Sequence, residues 1–135
     1  MITERTRKII GWGLAALICL LLLASAADKI AGSDHALEMS SSFGLSKDTY
    51  RILGIIEAGS ALLFLLPRTG LLGTLLLASY LGGAIATHLQ HQQSIVLPVI
   101  IEIFVWIAAV IRFPELTERF FGNENFRLPN GKQKN

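Results

Sequence analysis

Four side chains in this 135-residue chain carry chemistry that their apolar surroundings do not explain. Glu57 interrupts "LGIIEAGSALL" (residues 53–63), Glu102 interrupts "VLPVIIEIFVW" (96–106), and His88 and His91 lie at i, i+3 in "GAIATHLQH" (83–91). An ionised group inside a bilayer costs on the order of 2.5 to 3.5 kcal/mol, so such groups turn toward other helices and find partners there. Glu57 therefore reads either as a proton carrier or ligand anchor, or as an interhelical hydrogen-bonding residue that fixes packing. Glu102 reads the same two ways. Two neighbouring carboxylates do not both stay ionised in an apolar interior unless a cation joins them, and His88 and Arg51 are the candidates for that cation. The two histidines share a helix face, so with both glutamates they make up a two-His, two-Glu set of the ferrous or zinc type. His91 falls close to water, however, and neither imidazole has a nameable outer partner. A hydrogen bond from His88 to Glu57 is the simpler reading, and a metal is not expected. The candidate ligand-binding residues are then Glu57, His88, Glu102, Arg51, Tyr80 and Trp106, the last one turn past Glu102 and open also to an ordinary packing role.

The elements that must hold these groups follow from composition. Hydrophobic residues make up 52% of the chain and charged residues 16%, against roughly 25% charged in soluble domains. Four apolar runs, at about 9–28, 48–66, 70–90 and 95–112, each approach the ~20 residues that a helix needs to cross a hydrocarbon core. The runs are continuously apolar rather than alternating, which excludes a β-barrel. The expected fold is all-α, an integral membrane four-helix bundle occupying residues 1–113, with no room for a separate soluble domain. Residues 114–135 are expected to form a short interfacial helix at 114–121 followed by a mobile cytoplasmic tail.

Arg5, Arg7 and Lys8 before the first run, and Ala24, Ser25 and Ala26 at its end, also resemble a secretory signal. The apolar stretch exceeds the usual 7 to 15 residues of a signal core, so an uncleaved span is expected. With the amino terminus inside, Arg5, Arg7, Lys8, Arg68, Arg112, Arg119, Arg127, Lys132 and Lys134 fall on the cytoplasmic side and Lys29, Lys47 and Arg51 on the other. This bias places both termini in the cytoplasm. The basic residues are topogenic, and the net charge of +2 gives no sign of a nucleic-acid partner.

Residues 28–48 form a connection long enough to fold as a partial helix or lid, "LPRTG" (66–70) is a tight turn, and Ser94 is the expected N-cap of the last span. Gly54 with Ala58, Ala78 with Gly82, and Ser79 with Gly83 are small-residue pairs that either close helix contacts or leave room for a ligand. Cys19 is the only cysteine, which excludes an intramolecular disulfide and thiol relay chemistry within the chain.

The stretch "YRILGIIEAGSALLFLLPRTGLLGTLLLASYLGGAIATHL" (50–89) resembles the DoxX-like family of small four-helix membrane proteins, through Arg51, Gly54, Glu57, the Leu-rich run to Pro67, Gly73, Gly82, Ala84 and His88. The resemblance implies a multi-pass protein of the bacterial cytoplasmic membrane, associated in some members with quinone-dependent or oxidative-stress redox systems. A quinone is the cofactor it brings into view, with Trp12, Tyr50 and Trp106 as rings that could stack on one; Trp12 and Tyr50, near span ends, read equally as interfacial anchors. A redox partner protein or a second copy of the chain are the partners it leaves open. Three functions follow: an accessory subunit binding a quinone-like or other lipid-soluble molecule, a ligand-free scaffold or assembly protein, and a small proton-coupled transporter. The absence of a nucleophile with an adjacent base, a phosphate loop or a secure metal motif leans away from an enzyme.

Overall fold

The computed structural model describes residues 2–122. The expected tail, with Arg127, Lys132 and Lys134, lies outside the described residues. Six helices follow one another: α1 Glu4–Ala31, α2 Asp34–Ser42, α3 Lys47–Leu65, α4 Gly70–Gln90, α5 Val96–Arg112 and α6 Pro114–Phe121. Their boundaries are chemically marked. Thr3, Ser33 and Ser46 each accept a hydrogen bond from the backbone N–H three residues on and so cap α1, α2 and α3, the exchange that satisfies a helix's free amides. Gly32 ends α1 in the left-handed region at φ 67°, where a glycine carries no Cβ penalty. Ser94 does not cap the last long helix: Ile95 takes that position without a side-chain bond, and the Ser94 hydroxyl instead accepts from the Val96 amide at 3.4 Å.

The four long helices pack in a ring, α1 on α3, α3 on α4, α4 on α5 and α5 back on α1, and each runs opposite to its neighbours. One end gathers Gly11, Phe64, Gly70 and Arg112. The other gathers Lys29, Tyr50 and His88 beneath α2. In α3 the inward residues Tyr50, Gly54, Glu57, Ala61 and Phe64 recur in alternating steps of four and three, the stripe of a helix that faces partners along its whole length. The core between them is Ala15, Ile18, Cys19, Leu22, Ala61, Phe64, Leu77, Leu81, Val105 and Ala108.

Close helix contacts occur at glycines, though not at all the expected ones. Gly54 lies against α1, where a Cβ would stand 3.0 Å from the Ala26 carbonyl oxygen, and Gly73 lies against α3, where it would stand 2.0 Å from the Phe64 nitrogen. Gly82 and Gly83 meet nothing within 4 Å. Their pairs with Ala78 and Ser79 are therefore not helix contacts.

The outer surface of the ring is apolar: Leu20, Leu75 and Ile103 are each more than half exposed. By length and apolarity α1 and α4 can each cross a membrane, and α5 with α6 makes a third crossing only if this pair, bent by 103°, is one span. α3 is apolar through its second half but starts with Lys47, Asp48 and Arg51 and carries Glu57.

Candidate functional site

Glu57 is 3% exposed, and its Oε2 lies 2.8 Å from Lys29 Nζ on α1. The Lys29 ammonium also donates to Ser25 Oγ, one turn earlier on the same helix, and Ser25 in turn approaches Glu57 Oε2 at 3.4 Å. The Tyr50 ring stands 5.7 Å from Lys29 Nζ. The cation that neutralises Glu57 is thus Lys29, and neither His88 nor Arg51 takes that role. A paired and hydrogen-bonded carboxylate avoids most of the penalty that an isolated one would meet in an apolar interior.

This pair sits in the wall of a cavity of about 800 Å³, lined by all four long helices and by α2. Tyr80 and His88 line the same space, so three of the six candidate ligand residues meet there. His88 Nδ1 bonds the Ala84 carbonyl at 2.7 Å, and its ring packs against Phe43 with centroids 4.9 Å apart. Phe43 belongs to a small cluster with Ala36 and Tyr50 that ties α2 over this end of the cavity. The Gln93 amide reinforces it by donating to Ser42 at 2.9 Å. At the junction of α1 and α2, Asp28 accepts from Ser33 and pairs with His35 at 3.0 Å.

The other three candidates lie elsewhere. Arg51 is exposed one position past the inward stripe of α3, and its Nε donates to the Ile30 carbonyl at 3.2 Å, closing the end of α1. Glu102 does not share the cavity with Glu57. Pro98, Val105, Ala108 and Ala109 turn inward on α5 and leave Glu102 on the flank, where its Oε1 accepts from Trp106 Nε1 at 2.8 Å and its Oε2 is buried without a partner among the described residues. Trp106 packs against Phe120 of α6, centroids 6.0 Å apart, rather than against the cavity. The His88, His91, Glu57 and Glu102 set does not converge, and no three His, Cys, Asp or Glu side chains gather among the described residues.

Three side chains that hold the arrangement together were not singled out by their type. Ser25 and Lys29 stand at i, i+4 near the end of α1, a spacing that puts both on one face. At the opposite end Arg112 donates to the Phe64 and Leu65 carbonyls at 2.6 and 3.0 Å and lies over the rings of Trp12, Phe64 and Phe113. It thereby satisfies the last carbonyls of α3, which a terminated helix leaves free.

The model of the DoxX-like family matches residues 13–110, a span that includes α3 and α4 whole, most of α1 and α5, and every cavity residue named above. The chain belongs to the DoxX-like family, and with helices of this apolarity it is a small membrane protein. No curated protein and no solved structure matches it.

Proposed function

We propose that the protein binds a quinone-like or other lipid-soluble amphiphile as an accessory, redox-associated subunit of the bacterial cytoplasmic membrane, crossing it four times with both termini inside. One observation carries this reading: an apolar cavity of about 800 Å³ has its polar groups, Lys29, Glu57, Tyr80 and His88, collected at one end. That volume is within the roughly 300 to 1,000 Å³ typical of small-molecule sites. The head of an amphiphile fits the polar end and its tail the aliphatic remainder. Leu17, Leu21, Leu97 and Phe104 line the cavity and are 44 to 68% exposed, so the wall between α1 and α5 is the side from which a molecule dissolved in the bilayer would enter. α2 covers the water-facing end.

The Lys29–Glu57 pair by itself also fits a ligand-free scaffold, since it ties α1 to α3. Mass spectrometry of lipid extracts from gently purified protein separates the two. Gly83 lines the cavity and a Cβ there meets nothing within 4 Å, so Gly83→Phe fills the space without disturbing a helix contact. The expected result is an enriched quinone or related amphiphile in the wild type, lost in Gly83→Phe at unchanged thermal stability. Bulk phospholipid alone in both preparations favours the scaffold.

A further inference from the structure

We infer that His88 makes the cavity selective for a head group that donates a hydrogen bond, a neutral hydroxyarene such as a hydroquinone or phenol carried on an apolar tail. This rests on the ligand-binding reading of the cavity and specifies its chemistry.

The Ala84 carbonyl oxygen, 2.7 Å from His88 Nδ1, can only accept. Nδ1 therefore carries the hydrogen, which in the neutral form of an imidazole leaves the lone pair at Nε2. No described residue bonds that nitrogen. The ring cannot easily turn to hide it, because its own helix holds Nδ1 and Phe43 packs on its face. His91 has the same internal bond, to Thr87 at 2.9 Å, but does not line the cavity. Of the other polar groups that line the cavity, several are engaged within the protein, while Tyr80 and Ser79 also face the space. Lys29 and Glu57 cancel each other's charge, and the Thr87 hydroxyl donates back to the Gly83 carbonyl at 2.9 Å.

In such a site an O–H aimed at Nε2 gains a hydrogen bond. A carbonyl or ether oxygen in the same place sets lone pair against lone pair in apolar surroundings, where an unsatisfied polar group has no water to turn to. A site built around a hydrogen-bonding group rejects analogues that lack the matching hydrogen far more strongly than it rejects changes in apolar bulk. The reduced, hydroxylated form of a redox head is thus favoured over its oxidised or O-methylated counterpart.

The test uses two probes with the same ring and tail, decylhydroquinone and its dimethyl ether. Full-length protein in phosphatidylcholine nanodiscs is titrated with each under argon, and retained probe is quantified by mass spectrometry. Hydroquinone is expected to bind at least roughly tenfold tighter than the ether. His88→Leu should erase that preference, and His88→Gln, whose amide oxygen accepts, should restore part of it. Equal binding of the two probes to the wild type overturns the inference while leaving an amphiphile site in place, and it needs no variant to be informative. A preference that survives in folded His88→Leu overturns it as well. If neither probe binds, the ligand-binding reading falls too.

Discussion

Glu57 and Glu102 sit in the same Ile-Ile-Glu triplet and meet opposite fates. Glu57 finds Lys29 and Ser25, whereas Glu102 has one oxygen on Trp106 and one without a partner among the described residues. The difference is one of rotation. Tyr50, Gly54, Ala61 and Phe64 turn inward with Glu57 on α3, whereas Pro98, Val105, Ala108 and Ala109 turn inward on α5 and leave Glu102 on the flank, a rotation that helix packing selects. That is also why Lys29 was legible as the end of a span and not as the partner of Glu57. The pairing has a measurable consequence. Removing one member of a buried ion pair leaves the other charge uncompensated, at a cost of about 3 kcal/mol or more, while replacing both by apolar groups is far better tolerated. Glu57→Gln should therefore lower the thermal midpoint in detergent, followed by circular dichroism, more than the double variant Lys29→Met/Glu57→Leu does. A double variant as unstable as Glu57→Gln would show that the charges themselves are not what holds α1 to α3.

At the scale of the helices, small residues announced close contacts without saying which of them make one. Gly73 and Gly82 stand on the same helix, each preceded by a leucine, yet a Cβ at Gly73 would overlap the Phe64 backbone and one at Gly82 would meet open space. Gly73→Ala must push α4 away from α3 and is expected to destabilise by about 1 to 3 kcal/mol, as overpacking of a tight contact does. Gly82→Ala should leave stability unchanged or raise it by about 0.5 to 1 kcal/mol, through helix propensity alone. Equal effects in a paired denaturation experiment would contradict the contact. Arg112 makes the complementary case. Its position at the end of an apolar run reads as a topogenic charge, but the guanidinium bridges two carbonyls of α3 and covers three rings. A lysine has one compact ammonium and no planar face, so Arg112→Lys keeps the charge and loses the bridge. Its thermal midpoint should fall by several degrees, measured in the same assay.

For the molecule as a whole, the apolar runs made the helices legible because each run had to be long and continuous to be worth burying in lipid. The cavity was not legible, because it is a space between helices whose size depends on how far they splay. Orientation lies between these cases. Among the described residues Arg5, Arg7, Lys8, Arg68, Arg112 and Arg119 lie toward one end and Lys29, Lys47 and Arg51 toward the other. That is six basic groups against three. By this bias the α2 end should face away from the cytoplasm. A membrane-impermeant maleimide checks this directly, since Cys19 is buried and hydrogen-bonded to Ala61 and should stay silent. Ser41→Cys, exposed on α2, is expected to label in intact cells, and Glu118→Cys, exposed on α6, only after permeabilisation. The reverse pattern would put the Lys29–Glu57 end in the cytoplasm, and labelling of both sites in intact cells would mean that α5 and α6 do not end on the side opposite α2.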